Sequence, residues 1–204
     1  MGFILFNAIT VFSQVFEKKK SYLDLGLGIG GYGITTQKGE SSGNNNAAAI
    51  VFPLNYEYGL LNQVGIGLQY RGNRYISNDS LNKSSSKSKA FLLSNNLHLI
   101  NNSVLDIYLG ISYGIAFYNY QGAQNQEVVI LKGGGFSYLT YGGIKTYIKK
   151  KLGLNIGVSY NDYSFEIYRF KVNNVNQIKQ SPDNYNKNFS GIDLTVGFSY
   201  KISK

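Results

Sequence analysis

"VLDIYLGISYGIAFYNY" runs from Val104 to Tyr120, and its alternation decides the fold. The odd positions from 105 to 117 are Leu, Ile, Leu, Ile, Tyr, Ile and Phe, whereas the even positions from 106 to 118 are Asp, Tyr, Gly, Ser, Gly, Ala and Tyr. A strand projects alternate side chains to opposite faces. One face is therefore apolar throughout, and the other is small, polar or acidic.

The pattern recurs on both sides of this stretch. Leu23, Leu25, Leu27 and Ile29 oppose Asp24, Gly26, Gly28 and Gly30 in a first strand. Ile50 to Tyr58 and Val64 to Tyr70 give a second and a third, with Glu57 and Arg71 on the minor face. Phe91 to Leu99 gives a fourth, with Ser94, Asn96 and His98 on that face, and the opening stretch is the fifth. Phe136 to Ile148, Leu154 to Tyr160 and Ile192 to Ile202 complete eight, their minor faces carrying Lys145, then Asn155, then Asp193 and Lys201. Polar segments at about Thr35–Asn46, Arg74–Lys89, Gln121–Gly135 and Asn161–Asn188 read as long loops, and Leu61–Gln63, Asn101–Ser103 and Lys149–Lys151 as short turns. Long and short connections alternate, as in an up-and-down meander with all long loops at one end. Pro53 cannot donate to a ladder, so a bulge or break is expected there, near the external rim.

Composition chooses which face is inside. A soluble eight-stranded barrel of the lipocalin type would put the apolar face inward. Its outer face would then be the Gly-rich one, yet soluble surfaces carry about a quarter to a third charged residues, and this 204-residue chain has 15% overall, mostly in loops and turns. The apolar stripes carry aromatics near both ends: Phe52, Tyr70, Phe91, Phe117, Phe136, Tyr138 and Tyr160 toward the long loops, and Tyr56, Tyr58, Phe198 and Tyr200 toward the short turns. Such rings suit the two bilayer interfaces. The reading is an all-β, eight-stranded antiparallel up-and-down transmembrane β-barrel, closed because lipid leaves an open edge unsatisfied. The absence of Cys excludes disulfides and thiolate metal sites. The net charge of +9 raises nucleic acid, but no helix or aromatic platform to read bases is seen, and no nucleic-acid partner is expected.

The first residues stand apart. "FILFNAITVFSQ" (Phe3 to Gln14) is an apolar core with Val11 and Ser13 at the −3 and −1 positions of a cut before Gln14. Residues 1–13 are therefore read as a signal peptide, N-terminally truncated because no Lys or Arg precedes its core, and residues 14–204 as the barrel.

"PLNYEYGLLNQVGIGLQY" (Pro53 to Tyr70), "LDIYLGISYG" (Leu105 to Gly114) and "GGIKTYIKKKLGLNIGVSYN" (Gly142 to Asn161) carry a family likeness. Over residues 20 to 204 the chain resembles the small outer-membrane β-barrel proteins of Gram-negative bacteria, of the outer membrane protein A barrel type, without a peptidoglycan-binding domain. The resemblance implies a bacterial outer-membrane location and assembly by the barrel assembly machinery. It also implies a C-terminal signal read by that machinery, which "TVGFSYKI" supplies as Thr195, Gly197, Tyr200 and Ile202, two residues short of the end.

Turned inward, the minor faces collect Asp24, Glu57, Arg71, His98, Asp106, Lys145, Asp193 and Lys201. Opposite charges in a narrow lumen should pair, since an isolated buried charge is costly. The expectation is a polar, plugged lumen and a structural or surface-interaction role, with a small gated porin for solutes or ions as the alternative. Catalysis is not expected: His98 is the only histidine, and Ser94, four residues away on the same face, is too far for a direct bond. No cofactor is expected. Arg74, Lys83, Lys87 and Lys89 gather in the second external loop, where they could pair with lipopolysaccharide phosphates. "YSFEIYRFKV" (Tyr163 to Val172) could extend the seventh strand above the membrane as a hairpin and offer an aromatic adhesive surface.

Overall fold

The computed structural model describes residues 15–76, 84–124, 127–148, 151–176 and 185–202; the expected leader, Lys83, Lys149, Lys150 and the last two residues lie outside them. The strands are β1 (Ser21–Lys38), β2 (Ser41–Gly59), β3 (Val64–Ile76), β4 (Ser85–Asn101), β5 (Leu105–Gln124), β6 (Glu127–Tyr147), β7 (Leu152–Val172), a two-residue β8 (Val175–Asn176) and β9 (Tyr185–Ile202). Neighbours in sequence pair antiparallel from β1 to β7, and β9 pairs both β7 and β1, so eight long strands close a ring. Following ladder partners once around, Leu25 leads through Leu54, Tyr70, Phe91, Ile115, Phe136, Ser164 and Asn188 to Thr35. The stagger is thus 10 residues (35 minus 25), toward the external end of β1. For eight strands this corresponds to a tilt of about 40°.

The apolar stripes face outward. Ile29 is 69% exposed and Leu68 65%, and Leu109, Ile111, Ile156 and Val196 lie on the same outer wall. Their neighbours Asp24, Ser94, Ser112 and Ser159 are buried in the lumen. The aromatics assigned to the two girdles all stand on the outer face. This is a wall made for hydrocarbon, with its polar side inward.

Three local expectations are corrected. The segments read as long loops are largely strand: β1 and β2 run to a tight turn at Gly39–Glu40, and β5 and β6 reach to within two residues of each other. Gly39 takes φ 58° there, which a Cβ would disfavour. The apolar period fades in these segments because, beyond the bilayer, both faces of a strand can be polar while the ladder continues. At Pro53 the β1–β2 ladder breaks opposite Gly26 and Leu27 without a register shift, so there is a gap but no bulge. The gap is not at the external rim, since β2 continues twelve residues beyond it to Ser41. Finally, β7 does extend to a hairpin at Asn173–Asn174, but Tyr163, Phe165 and Ile167 point inward and are buried, so they form no adhesive surface.

Candidate functional site: the filled lumen

The lumen is built in tiers. Nearest the short turns, His98 from β4 lies between two carboxylates, Nδ1 at 2.7 Å from Asp106 Oδ1 and Nε2 at 3.0 Å from Glu57 Oε1. Both ring nitrogens of His98 thus have a carboxyl oxygen as partner. Lys145 from β6 bridges Asp24 (2.9 Å) and Glu57 (3.2 Å), with its Nζ 4.8 Å from the centre of the Tyr108 ring. Ser199 donates to Asp24, and Asn55 reaches its other oxygen. Three acidic side chains thus meet two basic ones, and each of the five titratable groups has a partner of the other kind.

A segment preceding β1 closes this end. The Phe16 ring stacks on His98 with centroids 3.6 Å apart and an interplanar angle of 13°. Asn101 accepts from Phe16 N (2.9 Å) and donates to Phe16 O (2.6 Å). The Tyr22 hydroxyl donates to Val15 O (2.9 Å), and Lys201 pairs with Glu17 at 2.6 Å.

Above the ion cluster lies a cavity of about 60 Å³ bordered by Gln69, Arg71, Tyr108, Tyr141, Asn155 and Ser159, room for about two waters. Gln69 and Arg71, whose Oε1 and Nε are buried and unpaired among the described residues, are part of its lining. Gly110 lies in the same lower half, where a Cβ would meet Asn96 Oδ1 and the Tyr141 ring. Gly110→Val should therefore displace the Tyr141–Asn96 hydrogen bond (2.6 Å) and destabilise the barrel by about 1–3 kcal/mol through overpacking. A lowered temperature for loss of the compact species on gels checks it.

The next tier centres on Asp193. Its carboxylate pairs with Arg71 and accepts from Ser159 (2.6 Å), Asn161 (2.6 Å) and Tyr32 (2.8 Å). Beyond it the lumen is aromatic: Tyr32, Tyr75, Tyr118, Tyr163, Phe165 and Phe189 form one buried cluster, with Tyr75 and Phe189 ring centres 4.6 Å apart.

Of the residues expected in the lumen network, Asp24, Glu57, His98, Asp106 and Lys145 meet in one cluster, Arg71 and Asp193 in a second, and Lys201 stands apart with Glu17 at the mouth. Ser94 donates to Asn55, not to His98, whose two nitrogens are engaged elsewhere. Thr195 and Gly197 face the lumen from β9, and Tyr200 and Ile202 face outward. Arg74, Lys87 and Lys89 stand on the outer wall of β3 and β4, not in a loop. The sequence reading missed the Phe16 stopper and the aromatic tier. The second had a signal: the minor-face register of β5, carried past Gly114, reaches Ala116 and Tyr118.

No protein-family model matches the chain, and no curated protein does. Solved structures do. The outer membrane protein OprG from Pseudomonas aeruginosa aligns with a TM-score of 0.58 at 11% identity, over 94% of this chain and 100% of that one. The outer membrane protein AlkL, solved by solid-state NMR in DMPC lipid bilayers, aligns at 0.56 and 13% identity, over 93% and 92%. The chain has the fold of the small outer-membrane β-barrels, and its apolar belt is the bilayer-facing wall of such a barrel.

Proposed function

We propose that this protein is a non-conducting outer-membrane barrel with a structural and surface-interacting role, neither an enzyme nor a porin. The observation that carries the reading is the stacking of four blocks across the lumen: the Phe16 stopper, the His98–Lys145 ion cluster, the Arg71–Asp193 cluster and the aromatic tier. A solute would have to displace buried ion pairs and then packed rings. Planar-bilayer recording tests this: reconstituted protein is expected to give no steady conductance steps, and large stable steps would favour the small gated porin instead.

The partner proposed for the outer wall is lipopolysaccharide. Arg74, Lys87 and Lys89 project from β3 and β4 just above the Tyr70 and Phe91 rings, whose centres are 5.3 Å apart with the planes tilted by 55°, and among the described residues no carboxylate pairs with them. Lysine and arginine at the outer interface suit lipopolysaccharide phosphates. The Arg74→Glu, Lys87→Glu, Lys89→Glu triple variant should carry several-fold less lipopolysaccharide through purification. Assembly is proposed to use Thr195, Gly197, Tyr200 and Ile202; Tyr200→Asp with Ile202→Asp should slow insertion by the assembly machinery while spontaneous folding in detergent proceeds.

A further inference from the structure

The outer wall is not smooth. A groove of about 530 Å³ crosses it over β2, β1 and β9, walled by Ile29, Ile50, Ile76, Ile192 and Leu194. Its floor is the cross-strand pair Gly31 and Ala48, with Ile192 opposite Gly31 on the other side. A Cβ at Gly31 would meet no atom within 4 Å, so the hollow is real space that a larger side chain could have filled.

The groove leads to the cations. Ile50 is the ladder partner of Arg74, and Arg74 of Lys87. The ladder climbs toward the external side in this direction, by 10 residues over the full circuit. Arg74 and Lys87 therefore stand farther out along the barrel axis than Ile29 and Ile50, and beside the floor, since Arg74 is two residues short of Ile76, the ladder partner of Ala48. Directly beyond the floor the outer face turns polar, with Asn46 opposite Gly33 and Asn44 opposite Thr35. An apolar slot in the hydrocarbon, amides beyond its floor and, on its β3–β4 side, two adjacent cations unpaired among the described residues match one chemistry: an acyl chain in the slot, a phosphate beside it and sugar hydroxyls at the amides.

We propose that this wall is a seat for one phosphorylated, acylated glycolipid of the outer leaflet, with a single acyl chain lying over Gly31 and Ala48 and a phosphate held by Arg74 and Lys87. The seat rests on the lipopolysaccharide reading above and adds the groove to it. A two-chain phospholipid offers the slot a chain but not the amides a sugar.

The test uses the full barrel in nanodiscs of phosphatidylethanolamine doped with hexa-acylated lipid A or with phosphatidylglycerol, released into detergent and weighed by native mass spectrometry. Unaltered protein should retain one lipid A and little phosphatidylglycerol. Gly31→Phe with Ala48→Phe fills the slot with outward apolar groups and should cut lipid A retention at least tenfold; Ala48→Leu alone is a milder variant, expected to lower it several-fold, should the double variant not fold. Arg74→Glu with Lys87→Glu should cut it as much. If the filled-slot variants keep lipid A and only the charge variant loses it, the groove proposal is overturned and the phosphate reading survives. If the charge variant keeps lipid A, both are overturned. Equal retention of phosphatidylglycerol and lipid A also overturns the seat, since the slot would then accept any chain.

Discussion

Replacing Lys145 by Met should lower the unfolding free energy of the barrel by about 3–5 kcal/mol, the range for removing one partner of a buried ion pair. Lys145 is 1% exposed and is the cation between Asp24 and Glu57. Without it, among the described residues, the one ion-pair partner left to Glu57 is His98, which Asp106 shares, and Asp24 keeps neutral donors. The penalty is the uncompensated charge rather than lost attraction, so adding Asp24→Asn and Glu57→Gln should restore much of the stability. Denaturant titration of the detergent-folded barrel, followed by gel mobility, reads both effects. A single variant as stable as the parent would mean that the cluster is hydrated and its charges are not coupled.

Arginine in place of Ile156 should cost about 2–4 kcal/mol, because the outer wall at that height has only acyl chains to offer a guanidinium. Ile156 is 55% exposed, which in a soluble protein would make such a change nearly neutral. The same residue placed at Asn186, on the outer face near the external end of β9, should cost about 0–1 kcal/mol. Equilibrium folding into lipid vesicles at graded urea measures the difference. Equal, small effects at both sites would place Ile156 in water.

The sequence was legible wherever the two faces of a strand meet different media. In the bilayer one face must be apolar, and the other must be small or paired. The resulting alternation sufficed to locate all eight strands and to group Asp24, Glu57, His98, Asp106 and Lys145 on the minor face before their contacts were known. Outside the bilayer that contrast disappears. Asn44 to Asn46 and Ser85 to Ser88 lie in strands, yet they read as loop because neither face needs to be apolar there. The aromatic tier inverts the rule: Tyr32, Tyr118 and Phe165 occupy the minor face, where polar groups were expected, because a closed tube beyond the membrane packs its axis like an ordinary core. Phe16 was beyond the reach of periodicity, being one residue in a short segment whose place is fixed by His98, Tyr22 and Asn101.

The Leu/Ile/Tyr faces touch acyl chains, and the Gly/Asp/Lys faces line the axis. The chain has no Trp, so a single introduced indole is a clean reporter. Tyr108 and Tyr113 lie five residues apart on β5, the first 7% exposed in the lumen and the second 40% exposed on the outer wall. In vesicles containing brominated phosphatidylcholine, Tyr113→Trp should be strongly quenched and Tyr108→Trp should keep its emission. Strong quenching of Tyr108→Trp with Tyr113→Trp unaffected would contradict the account.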